Sequence, residues 1–254
     1  KCEKSHKGLG NIMLWELGIL DAVSVAFVGA GGKTTAVYEC VEEAQGAGYM
    51  AAAVTTTKMW TPEQGFLEWN EDLKAEKVTE LLKQAQCEKK VTTLGTVLKN
   101  GKIGSVPEKF LKELMEAGVH LYIEADGARG KWGKVPKEGE PVVPKWVEVT
   151  IGILNQKAVG KRICDVAHRP NDCARFLGKD TGERIEIQDM WKIWESEQGI
   201  FRTVSGKKIA LFSGFRIGER KRFLKEYNIK WDKACEEMLI YIWEQDDAGQ
   251  NIFK

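Results

Sequence analysis

The sequence predicts an α/β fold, a mainly parallel sheet with helices on both faces, and three observations carry that prediction. Short, almost unbroken apolar runs recur at residues 23–28, 49–54 and 119–123, the length and composition of strands covered on both sides. Stretches of helical period separate them, and this alternation favours parallel βαβ units with right-handed crossovers. A glycine cluster, Gly29-Ala30-Gly31-Gly32, stands where the first strand hands over to the first helix.

Taken in order, Ile12, Trp15, Leu17 and Leu20 stand at loose helical spacing, so residues 1–20 read as an N-terminal helical arm ahead of a single domain, 21–254. After the first strand and the glycine cluster, Ala36, Val37, Cys40, Val41 and Ala44 keep helical period until Gly46 and Gly48, and a second buried strand follows at 49–54. Residues 61–90 are polar and rich in Glu and Lys. They read as a surface loop and then a solvated helix over about 72–86. Residues 91–94 and 97–98 predict a short hairpin, with Asn100-Gly101 as a turn signal. Pro107 opens a helix through Phe110, Leu111, Leu114 and Met115 that stops at Gly118. Strand-like runs return at 119–123, 146–154 and 207–212, with a structured, proline-bearing loop at 131–145. A small helical insertion is expected near 165–205, with helices over about 171–177 and 187–196. The tail, 218–243, is mostly helical by period.

Composition narrows the function classes. A hydrophobic share of 43% supplies a core and excludes disorder for the chain as a whole. Thirty-eight basic against thirty-seven acidic side chains leave no field of one sign, so neither nucleic acid nor an anionic membrane is an expected partner. No apolar run approaches the ~18–20 residues of a membrane span, and the apolar patch near residues 12–17 is interrupted by Glu16. The six cysteines are scattered without a Cys-x-x-Cys pair. They are expected to be reduced, in a cytoplasmic protein.

The glycine cluster is the strongest chemical signal. In Gly29-Ala30-Gly31-Gly32-Lys33-Thr34-Thr35 the glycines let successive backbone N–H groups curl around a phosphate, and the following helix adds its positive end. Lys33 can reach β- and γ-phosphates, the Thr34 hydroxyl can ligate Mg²⁺, and Thr35 can donate to an α-phosphate. The standard G-x-x-x-x-G-K-[ST] is not met, because Phe27 occupies its first glycine position. The shorter G-x-x-G-K-T-T, like that of Mur-type amide ligases, is. The fold expected is therefore P-loop NTPase-like, with ATP or GTP and Mg²⁺ as ligands.

Glu124 and Asp126, two apart at the end of a predicted strand, can share one face and complete the metal and water side of such a site. Thr55-Thr56-Thr57-Lys58 follows the second strand, and Lys58 is expected to offset charge on the transferred phosphoryl group. Arg129 is expected to act there too. Asp165, His168 and Arg169 precede Pro170 at a helix start, read either as an ordinary helix entry or as an acid–base group and a cis arginine.

Together, Val-Gly-Ala-Gly-Gly-Lys-Thr-Thr at 28–35, Thr-Thr-Thr-Lys at 55–58, Glu-Ala-Asp-Gly-Ala-Arg-Gly at 124–130 and His-Arg-Pro at 168–170 resemble the YqeC family, the selenium-dependent hydroxylase accessory proteins of bacteria. The resemblance covers about residues 10–220. It implies a P-loop protein serving maturation of a selenium-dependent molybdenum hydroxylase, with that enzyme or its maturation proteins as partners. Lys33, Thr34, Glu124, Asp126 and Arg129 match the family's motif residues, and Pro136, Glu140, Pro141 and Pro144 fit its following loop. Asn155-Gln156-Lys157-Ala158 lacks the aspartate of a guanine-reading element. Two other readings stay open: an ATP-dependent ligase forming an acyl-phosphate, and a thiol-based selenium carrier using Cys164 or Cys173, which flank His168.

Overall fold

The first buried run becomes the centre of the sheet because nothing in it tolerates solvent: all six residues of β1 (Ser24–Gly29) are buried. The computed structural model describes residues 13–216, 218–227 and 238–245. Around β1, α1 (Met13–Glu16) and α2 (Lys33–Gly46) are followed by β2 (Met50–Thr55), β3 (Lys58–Trp60), β4 (Phe66–Glu68) and α3 (Ala75–Cys87). Next come β5 (Thr93–Leu98), β6 (Lys102–Gly104), α4 (Glu108–Glu116), β7 (Val119–Glu124), β8 (Gly133–Lys134) and β9 (Val149–Asn155). The chain continues through α5 (Ile163–Val166), β10 (Ala167–His168), α6 (Pro170–Leu177), α7 (Ile187–Glu195), β11 (Lys207–Arg216), α8 (Glu219–Glu226) and β12 (Met238–Gln245).

The main sheet runs β12-β11-β9-β1-β7-β2-β5-β6-β3, with β4 also paired to β5. Its pairings are parallel except β5–β6 and β3–β6. Alternate residues of β1 feed two cores. Val25 and Phe27 join Leu14 and the α2 residues Ala36, Val37, Cys40 and Val41 on one face. Ala26 and Val28 join Val78 and Leu82 of α3, Leu111 and Leu114 of α4, and Ile193 and Trp194 of α7 on the other. Helices therefore cover both faces of a mostly parallel sheet.

Three local expectations are corrected. The hairpin does not lie within 91–98. Thr93–Leu98 is one strand, and the chain reverses at the expected Asn100-Gly101 turn: Lys99, Asn100 (φ 68°) and Gly101 (φ 67°) form a three-residue connection that sets Leu98 opposite Lys102 of β6. Residues 66–68, read as loop, form β4 parallel to β5, a pairing too short to leave a periodicity. The end of the tail is a strand where helix was expected. α8 ends at Glu226, residues 228–237 lie outside the described residues, and Met238–Gln245 is a strand parallel to β11. Its Leu-Ile-Tyr-Ile-Trp run suits a pleated surface once a partner edge exists, and that edge is β11, the strand before it in the chain.

The insertion between β9 and β11 is anchored from below. Trp194 lies buried against Phe212 and donates its Nε1–H to the Gly152 carbonyl at 2.9 Å. Residues 1–12 of the expected N-terminal arm lie outside the described residues. α1 itself docks on α2 through Leu14 N and Trp15 N, which donate to the Glu43 carboxylate at 2.7 and 2.8 Å.

Candidate functional site

β1 ends in a turn that only glycine fits. Gly29 has φ 93°, and a Cβ there would overlap the Ile153 carbonyl oxygen. Gly31 has φ 86°, and a Cβ there would lie 2.5 Å from the Asn155 Cβ. The turn is clamped to the ends of the neighbouring strands: Ala30 N donates to Ile153 O at 2.8 Å, and the Ser213 hydroxyl donates to the Gly31 carbonyl. α2 then starts at Lys33 with no side chain capping it, so the backbone N–H groups of its first turn face the loop.

The register of β1 on β7 sets Phe27 beside Glu124, which brings the two acids to the glycine turn. Thr34 Oγ1 donates to Glu124 Oε2 at 2.6 Å. Lys33, only 5% exposed, donates its Nζ to Gly29 O at 2.6 Å and stands 3.1 Å from Asp126 Oδ1. Asp126 Oδ2 accepts Gly29 N at 3.1 Å. The Lys33–Asp126 contact is an ion pair without hydrogen-bond alignment, so Asp126 Oδ1 is buried with no hydrogen-bond donor among the described residues. Burial pushes the Glu124 carboxyl above its ordinary range and the charge of Asp126 adds to this, while Lys33, Thr34 and Lys134 pull the other way.

Of the residues singled out in the sequence, Gly29 to Thr34, Glu124 and Asp126 therefore converge. Thr35 lies in the first turn of α2, half-buried. Thr55 and Thr56 reach the end of β7, but their hydroxyls are committed to the carbonyls of Glu124 (2.8 Å) and Val142 (2.6 Å). Lys58 opens β3, three residues after Thr55, and is exposed. Arg129 is exposed on the loop after β7, with φ 50°. Arg169 is held by Glu140 at 2.5 Å and by the Val135 carbonyl at 3.3 Å, a committed position for a residue read as a cis arginine. Cys164 is exposed, whereas Cys173 is buried, and burial, with the charge of Asp189, pushes its thiol up to about 12. That thiol is poorly suited to act as a nucleophile.

Lys134 is the residue that sequence reasoning missed. Fully buried, its Nζ lies 3.0 Å from Asp126 Oδ2 and 3.1 Å from Glu140 Oε2, and donates to Gly127 O at 2.8 Å. Glu140 is pushed up by burial but held down more strongly by Arg169 and Lys134, at about 2. A lysine in a proline-bearing loop leaves no motif. The only signal was its place between the acidic strand end and the Glu140-Pro141 step. A cleft of about 680 Å³ beside α3 and α4, lined by Trp69, Leu73, Phe110 and Glu113 among others, contains none of these groups. Concavity alone therefore does not mark the chemistry here. Among the described residues, no cluster of three or more His, Cys, Asp or Glu is arranged to hold a metal. Mg²⁺ needs only one or two carboxylates when phosphate oxygens complete its shell, and the chemistry of Thr34 and Glu124, 2.6 Å apart beside the Lys33–Asp126 pair, fits that requirement.

No helix among the described residues is long and apolar enough to cross a membrane. No solved protein structure matches the chain. The chain is similar to an uncharacterized protein YqeC of Escherichia coli (strain K12), 28% identical over 186 residues, covering 71% of this chain and 70% of the relative. The family model described as YqeC protein matches residues 25–171, a span that takes in the glycine turn, both acids, Lys134 and the His168-Arg169 pair. More than half of the sequence is matched, and the chain belongs to the YqeC family.

Proposed function

We propose that the chain is a P-loop protein that binds a nucleoside triphosphate with Mg²⁺ and hydrolyses it, in the service of maturing a selenium-dependent molybdenum hydroxylase. One observation carries the nucleotide reading. A lysine and a threonine at the first turn of an uncapped helix face two carboxylates at the end of the adjacent parallel strand, with Lys33 3.1 Å from Asp126 and Thr34 2.6 Å from Glu124. Lys33 would exchange Gly29 O and Asp126 for phosphate oxygens, and Lys134 would remain as the counter-charge of Asp126. Mg²⁺ supplies charge neutralisation for the phosphates when bound. Thr34 and Glu124 are the residues that would hold it, and Asp126 would orient a water. The hydroxylase connection rests on the family resemblance alone.

The test is calorimetric titration of the full chain with ATP and with GTP, with and without Mg²⁺, against Lys33→Ala. The expected result is Mg²⁺-dependent binding that Lys33→Ala weakens at least tenfold. Equal affinity in both proteins removes the reading. Arg129→Ala is expected to lower turnover more than affinity, as a group acting on the reaction rather than on ground-state binding does.

A further inference from the structure

Two buried lysines answer the charge of Asp126. Lys33 Nζ stands 3.1 Å from its Oδ1, and Lys134 Nζ stands 3.0 Å from its Oδ2. A buried carboxylate needs a counter-charge, but each buried ammonium adds its own desolvation cost. Glu140 does not require the second lysine, because Arg169 already holds that carboxylate at 2.5 Å. Folding alone therefore leaves the pairing of two lysines with one aspartate unexplained.

The two lysines are not held alike. Lys33 opens α2, and its other contact is the Gly29 carbonyl at 2.6 Å, inside the glycine turn itself. Lys134 lies on β8, donates to the Gly127 carbonyl at 2.8 Å and stands 3.1 Å from Glu140 Oε2. β8 is paired in parallel with β10, which sets Lys134 opposite His168, the residue before Arg169. Lys134 is thus fixed on three acceptors, and Lys33, on a flexible four-carbon stem, is the ammonium able to turn toward a ligand in the loop. In the low dielectric of the interior, a carboxylate stripped of its only counter-ion is strongly destabilised. With Lys33 alone beside it, Asp126 would hold that lysine back from phosphate. With Lys134 in place, Asp126 keeps a cation as well as the Gly29 N–H at 3.1 Å, and Lys33 leaves no bare charge behind.

We propose that Lys134 is a positioning residue of the glycine turn: by holding the charge of Asp126 it releases Lys33 to the terminal phosphates of a bound nucleotide, without touching them itself. This role rests on the nucleotide reading above; the sharing of Asp126 by two lysines does not. Glu140 and Arg169 act one step further out, by keeping Lys134 in place.

The experiment is calorimetric titration of the full chain with MgATP and MgGTP, run on wild type, Lys134→Met, Asp126→Asn and the variant carrying both changes. Lys134→Met should weaken binding at least about tenfold. In the Asp126→Asn background no charge holds Lys33 back, and the same change should alter affinity by less than about threefold. Lys134→Gln keeps a donor for the Gly127 carbonyl and should behave as Lys134→Met does. A tenfold loss in both backgrounds overturns the proposal, since a lysine that merely seats its loop would act alike in each. Urea unfolding of the free chain tests the sharing without nucleotide. Lys33→Met and Lys134→Met each leave Asp126 one cation. The double variant should therefore lose at least about tenfold more in its folding equilibrium than the two single losses combined, and Asp126→Asn should recover that excess. Simply additive losses overturn the proposal. Wild type that binds neither nucleotide removes the nucleotide reading and this role with it; a Lys134→Met chain that binds as tightly as wild type removes the role alone.

Discussion

Lys33, Asp126, Lys134, Glu140 and Arg169 form one chain of alternating charge, and its members differ in how much each depends on pH. Glu140 is held at about 2, below its unfolded value. It therefore contributes stability that is present above the ordinary carboxylate range and is lost as pH falls toward 2. Glu140→Gln leaves Lys134 short of a counter-ion and is expected to cost about 3 kcal/mol at pH 7. The cost should shrink toward zero in urea unfolding at about pH 2, where the wild-type carboxyl is itself being protonated. Glu124 has the opposite sign. Its folded value is raised, so the folded state holds its proton longer, and stability declines as pH rises from the ordinary carboxylate value toward the raised one. Without Mg²⁺, Glu124→Gln should therefore melt higher than wild type at pH 8 and lose that advantage in acid. A lower melting point at pH 8 would mean that the contacts of Glu124 outweigh its desolvation.

At the scale of elements, the site depends on how the segment between β9 and β11 is seated. Gly152 of β9 leaves room for the insertion: a Cβ there would lie 2.5 Å from the Phe201 ring and 2.6 Å from Ile200 Cδ1. Its carbonyl takes the Trp194 Nε1–H. Gly152→Val should cost about 1–3 kcal/mol by overpacking and expose the connection between α6 and α7 to protease sooner than in wild type. Since β9 also clamps the glycine turn through Ile153 and Asn155, the same variant should weaken nucleotide binding. Cleavage at the wild-type rate would show the insertion to be seated independently of β9.

Across the whole molecule, the strand order puts β1 between β7 and β9, while the chain leaving β1 returns through α2 to β2, on the far side of β7. That crossing opens a crevice at the carboxyl ends of the strands, where ligands of open α/β sheets bind. A ligand binding only the folded chain stabilises it by about 2.7 kcal/mol at a hundredfold excess over Kd. MgATP or MgGTP at that excess should raise the melting temperature of wild type by several degrees and that of Lys33→Ala by about half as much or less. An equal rise in both would place the nucleotide elsewhere.

The local order of strand, glycine turn and helix, the two-residue spacing of Glu124 and Asp126, and the family motifs were legible because each is written in consecutive residues with one period or one turn chemistry. The strands 23–28, 49–54 and 119–123 were legible for the same reason: burial on both faces leaves an unbroken apolar run. What the sequence by itself determined is thus the α/β alternation and the residues on either side of the glycine turn. Only the tertiary structure decided that the tail from Met238 pairs as a strand with β11 and that Lys134 fills the space between Asp126 and Glu140. Those outcomes depend on which sheet edge or carboxylate is within reach once the sheet has assembled. Neither an edge pairing nor charge compensation across an irregular loop leaves a periodicity to read.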